Sequence, residues 1–90
     1  MYHLLFLALH FKLGLAGPDV RRIQEQLNAI SNNFPAIPKI RVDGAFGEET
    51  RNAVLTFQRI FNMPQSGIVD FATWYRISGI YVAVERLAAL

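Results

Sequence analysis

The stretch Val42-Asp43-Gly44-Ala45-Phe46-Gly47-Glu48-Glu49-Thr50-Arg51-Asn52-Ala53-Val54-Leu55-Thr56-Phe57-Gln58 joins a turn with two glycines to a helix whose buried face is spelled out. Gly44 and Gly47 suit backbone angles that a side chain resists, so the loop is expected to fold tightly over itself. Glu48 and Glu49 fall in the first helical turn, where the positive end of the helix dipole favours carboxylates. Thr50, Ala53, Val54, Phe57 and Phe61 follow at helical spacing and define one apolar stripe. The helix is expected to stop near Asn62, which tolerates left-handed geometry, with Pro64 just beyond.

Upstream, Gly17 is placed to cap an earlier helix, with Pro18 at its first position and Asp19 in its first turn. Val20, Ile23, Leu27 and Ile30 form its inward stripe, and Ser31-Asn32-Asn33 with Pro35 and Pro38 end it and open a long loop. Ile40-Arg41-Val42 reads as a short extended segment. Downstream, Asp70 is positioned to cap a third helix by accepting from the Thr73 N–H. A weak repeat underlies the layout: Val20-x-x-Ile23-Gln24-x-x-Leu27-Asn28 aligns with Val54-x-x-Phe57-Gln58-x-x-Phe61-Asn62, and each helix leads to a Val-Asp pair, at Val42-Asp43 and Val69-Asp70. One full copy and a fraction cannot stack into a solenoid, which leaves a compact bundle of two lobes.

A chain of 90 residues without cysteine has room for one modest core and must hold it by packing alone. With 52% apolar residues, including seven Phe, three Tyr and one Trp, it is globular and not a disordered tail. Lack of Cys excludes a thiolate metal site and a disulfide scaffold. The net charge of +2 is mild and its arginines are scattered, whereas a nucleic-acid footprint is a cluster or stripe.

Catalytic chemistry finds little support. His3 and His10 stand in an apolar leader, away from any candidate nucleophile and from carboxylates at ligand spacing. Glu48 and Glu49 are adjacent on a helix, point in different directions and are not a paired acid and base. Asp43 and Asp70 hold equivalent places in the two halves, which indicates turn and cap chemistry. Asp43-Gly44 does not continue into the oxygen ligands of a calcium loop. We expect no catalytic residue, no metal and no cofactor.

Three further sites admit two readings each. Gln24 and Gln58 lie on the apolar sides of their helices, where a buried amide braces a neighbouring loop or meets a polar ligand. Trp74 is a core residue with a partnered indole N–H, or a platform for a sugar. Phe46, between two glycines, packs inward or meets a ligand, depending on how the turn folds.

The glycine turn and its helix resemble the core signature of the peptidoglycan-binding domain family. Leu13-Gly14-Leu15-Ala16-Gly17-Pro18-Asp19-Val20-Arg21-Arg22-Ile23-Gln24 is similar to that family's opening, and Ser66-Gly67-Ile68-Val69-Asp70-Phe71-Ala72-Thr73-Trp74 to its closing motif. Three motifs in order over residues 13–77 are more specific than a lone glycine turn. The resemblance implies an all-α fold, here a compact three-helix bundle with a pseudo-repeat, an additional C-terminal helix and short extended segments in its loops. It also implies non-catalytic binding of bacterial cell-wall peptidoglycan, outside the cytoplasm at the wall or cell surface, anchoring a wall-active protein or domain. Arginine forks suit stem-peptide carboxylates and aromatic rings suit sugar faces, so Arg41, Phe46, Arg51 and Tyr75, together with Asp43, are the candidate ligand-binding residues. Ordinary surface solvation is the competing account for each arginine.

The ends depart from the family. Residues 1–12 form an apolar leader, with Leu4-Leu5-Phe6-Leu7-Ala8-Leu9 too short to span a bilayer as a helix. It reads as an extra packed segment, as the apolar region of a signal peptide, or as a truncated or fused gene end. The signal reading lacks a preceding Lys or Arg, and cleavage at Gly14-Leu15-Ala16 would remove part of the opening motif. In residues 78–90, Ser78-Gly79 is expected to break the chain before a fourth helix with Ile80, Val84, Leu87 and Leu90 on its apolar side.

Two other functions compete. A module docking proteins through the leader and the last helix fits the apolar ends. A small DNA-binding helical domain fits less well, because the helix starting at Glu48 would lead with two carboxylates toward phosphates.

Overall fold

A computed structural model describes residues 11–90. His3, His10 and the apolar run of the leader lie outside the described residues. Within them the chain is all-α, a bundle of three helices joined by ordered loops: α1 (Pro18–Ser31), α2 (Glu48–Ile60) and α3 (Phe71–Ala88). None of these is long and apolar enough to cross a membrane.

Each boundary has a local cause. Gly17 caps α1, followed by Pro18 and by Asp19 in the first turn. Pro18 has a φ already suited to the helix and gives up an N–H that would find no intrahelical partner. Asp70 caps α3, accepting from the Thr73 N–H at 2.9 Å. At the end of α2, Asn62 takes φ 56, its N–H bonds the Arg59 carbonyl at 3.3 Å, and the Met63 N–H bonds the Gln58 carbonyl at 2.8 Å. These two bonds close the last turn as a Schellman motif and satisfy carbonyls that the helix would otherwise leave open. Phe61 is therefore the capping residue and not part of the helical stripe.

The core is built where the stripes converge. Val20, Ile23, Leu27 and Ile30 from α1 meet Ala53, Val54 and Phe57 from α2 and Ile77 and Val84 from α3. Phe61 and Trp74 are partly buried at its margin. Phe61 stacks in a tilted arrangement on Phe57 at 4.6 Å and meets Phe34 edge-on at 5.1 Å. Trp74 meets Phe11 edge-on at 5.7 Å. The loops supply Phe11, Ile37, Ile40, Phe46 and Val69, all buried. Ser31 and Asn28 of α1 hold the long loop in place: the Ser31 hydroxyl donates to the Ile37 carbonyl, and the Asn28 amide bonds both the N–H and the carbonyl of Ile40.

Two local expectations are corrected, at Gly47 and at Ser78-Gly79. Gly47 has φ −100 with open space where a Cβ would stand, so it needs no glycine freedom; Gly44, at φ 76, does. Residues 40–42 pair with no neighbouring strand, and the described extended pairings are the bridges Phe11–Val69 and Ala16–Ala45. Ser78-Gly79 does not interrupt the chain, and α3 runs unbroken through it. A glycine inside a helix costs only about 1 kcal/mol, which burial of Ile77 and Val84 on either side of it offsets. The last residues are thus a continuation of α3 and not a fourth helix, and Leu87 and Leu90 are exposed instead of completing an apolar face.

Candidate ligand-binding surface

Two loops, each entering a helix, are organised by the two glutamines. Gln24 is fully buried on α1. Its amide nitrogen donates to Asp43 Oδ1 at 3.0 Å, the Ala45 carbonyl at 2.9 Å and Thr50 Oγ1 at 3.0 Å. Its carbonyl oxygen accepts from the Asp43 and Gly44 N–H groups at 3.0 and 2.8 Å. Gln58 on α2 repeats the pattern, donating to Ser66 Oγ, the Ile68 carbonyl and Thr73 Oγ1 and accepting from the Gly67 N–H at 3.0 Å. Both amides are spent on loop bracing, because a buried amide must find partners and the turns offer them.

Asp43 belongs to the same network. Its Oδ1 also accepts from the Ala45 N–H at 2.9 Å. That backbone bond first and the Gln24 amide second hold the carboxyl below its ordinary value of 3.8, against an opposing effect of desolvation that exceeds the further pull of the Arg41 charge. The carboxylate is exposed on one side but is chiefly a turn-former.

The other candidates part company. Arg41 is exposed, and its backbone N–H donates to Glu49 Oε1 at 2.7 Å, which fixes the approach to α2. Phe46 is 1% exposed. Its N–H bonds the Leu15 carbonyl and its carbonyl accepts from the Gly14 N–H, so the opening segment closes over the turn and drives the ring into the core. Phe46 thus packs inward and presents no ring to solvent. Arg51 is half-buried and lies against Gly67 of the second loop, not against the first turn. Tyr75, 72% exposed on α3, stacks on Phe71 at 6.0 Å with planes 22° apart. Trp74 is packed on Phe11 and is not an open platform.

Phe71 was not singled out from the sequence. It stands four positions before Tyr75, off the buried line of Thr73, Ile77 and Val84, and that spacing is the signal that would have found it. Arg76 was also missed; its guanidinium lies over the Phe61 ring at 5.7 Å. Among the described residues no group of three or more His, Cys, Asp or Glu is placed to hold a metal ion. What the surface offers is hydrogen-bonding loops, guanidinium groups and exposed aromatic rings.

Comparison with known proteins bears on the same stretch. The model of the peptidoglycan binding domain family matches residues 16–77. No curated protein matches the chain. Among solved structures, the N-terminal domain of SleB is similar, with TM-score 0.69 and 26% identity over 81% of this chain and 93% of that one. A fused Zn-dependent amidase/peptidase/peptidoglycan-binding domain-containing protein from Clostridium acetobutylicum is similar with TM-score 0.68 and 36% identity, over 77% of this chain. A peptidoglycan-binding protein from Clostridioides difficile, solved in complex with glutamine hydroxamate, gives TM-score 0.64 and 28% identity, also over 77%. The chain covers 28% and 40% of the lengths of these two clostridial proteins.

Proposed function

The chain belongs to the peptidoglycan-binding domain family, and from that premise we propose that it binds bacterial cell-wall peptidoglycan without acting on it chemically. The observation that carries the reading is the family match across residues 16–77, which spans all three helix starts and both braced loops. In the C. acetobutylicum protein the related segment is fused to an amidase/peptidase. An anchoring role for this chain follows that arrangement: binding the polymer raises the effective concentration of a wall-active partner at its substrate, with no contact at the bond cleaved. The working place is then the cell wall or cell surface, outside the cytoplasm. Arg41, Arg51 and Tyr75 are the candidate contacts with side chains reaching the surface.

Cosedimentation of the purified chain with insoluble sacculi tests the reading. The chain should pellet with sacculi, and joint replacement of Arg41 and Arg51 should weaken pelleting while thermal unfolding shows the variant still folded. A folded chain that stays in the supernatant with sacculi of several wall types would overturn the assignment. Specific self-association or capture of a partner through the exposed Val82, Leu87 and Leu90 would then favour a protein-docking role.

A further inference from the structure

The two braced loops are equivalent in their bonding but not in what covers them. At the first, a Cβ on Gly44 would stand 3.4 Å from the Gly17 carbonyl oxygen, and the Gly17 N–H bonds the Gly44 carbonyl at 2.8 Å. The opening segment therefore closes this turn with backbone. At the second, Gly67 takes φ 73, and a Cβ there would stand 3.1 Å from both Cγ and Nε of Arg51. Here the neighbour is a side chain, and the bare glycine is what lets the arginine lie flat on the loop.

Arg51 is held by this seat yet has no charged partner. Among the described residues the ion pair is Arg21–Glu25, on α1, and no carboxylate reaches Arg51. A guanidinium whose stem is already packed loses less rotamer freedom on binding, and its planar fork matches a carboxylate in two parallel bonds. Four residues beyond Gly67 the same loop delivers Phe71, 41% exposed, and its stacked neighbour Tyr75. Four residues of chain reach at most about 14 Å, so cation and ring pair border one short loop.

We propose that the loop around Gly67, with Arg51 on one flank and the Phe71–Tyr75 stack on the other, is the surface that meets peptidoglycan. Arg51 takes a stem-peptide carboxylate, and Tyr75 carries a sugar ring against its exposed face. This rests on the peptidoglycan reading above and moves the contact from the first glycine turn to the second.

The test measures binding of the full chain to intact sacculi and to glycan strands stripped of stem peptides, for the parent, Arg51→Gln, Tyr75→Ala and Arg22→Gln. Thermal unfolding verifies that each variant is folded. Arg51→Gln should bind intact sacculi roughly tenfold more weakly, the scale of one lost charge-assisted bond pair, and bind stripped glycan as the parent does. Tyr75→Ala should lose roughly fivefold on both polymers, and Arg22→Gln, on the exposed side of α1, should stay within about twofold on both. If the parent binds sacculi and Arg51→Gln and Tyr75→Ala bind equally well, the placement fails while the peptidoglycan reading stands. An equal loss for Arg51→Gln on stripped glycan would overturn its carboxylate role. A parent that binds neither polymer would remove both the placement and the reading beneath it.

Discussion

Gln24 and Gln58 hold equivalent positions in the two halves of the chain. Each donates its amide nitrogen to a threonine at the third position of the next helix, Thr50 or Thr73, and accepts from the N–H of the intervening glycine, Gly44 or Gly67. A single side chain thus fixes a loop to the helix before it and the helix after it. This is how a domain with so little core holds its loops in one conformation.

Gln24→Ala should therefore destabilise the fold by about 3 kcal/mol, since it strands the Asp43 and Gly44 N–H groups in a partly buried turn. Gln58→Ala, which strands the Gly67 N–H alone, should cost less, about 2 kcal/mol. Urea denaturation of both variants checks the order. Equal and negligible losses would show that water replaces the amides freely.

Phe57 has no exposed surface and packs on Phe61. Phe57→Ala should cost roughly 3–5 kcal/mol through lost burial and a residual cavity, a large share of what a small domain has. An unchanged melting curve would contradict the packing of α2.

Asp43 gives the stability a pH dependence of known sign. Its folded-state pKa lies below its unfolded value near 3.8, so ionised Asp43 stabilises the fold above that pH. The contribution is lost as pH falls below about 4 and through the folded-state value. Asp43→Asn should flatten the acid limb of a stability–pH profile in that window and leave its neutral part with the same slope.

The glycines should divide by backbone angle. Gly44→Ala, at φ 76, should cost about 1–2 kcal/mol, whereas Gly47→Ala, in ordinary extended geometry with open space, should change stability by less than about 0.5 kcal/mol. Gly79→Ala, inside α3 and unobstructed, should stabilise by about 0.8 kcal/mol. Thermal unfolding of the three variants is sufficient. A loss at Gly79 would argue for a real break in α3.

The sequence by itself determined what depends on neighbours along the chain. Gly17-Pro18-Asp19, Asn62 and Asp70 mark helix ends through their own backbone angles and side-chain reach, and Val20, Ile23, Leu27, Val54 and Phe57 mark the core through a period of 3.6. The order of the three motifs sufficed to name the family. Tertiary structure alone decided the rest, because each outcome is a contest between segments far apart in sequence. Phe46 turned inward when Gly14 and Leu15 bonded across its backbone, Phe11 joined the core by pairing with Val69, and α3 ran through Gly79 because residues on both sides of it found burial. Arg51 came to rest on Gly67 for the same kind of reason: the space it fills is created by a loop that Gln58, far from it in sequence, helps hold in place.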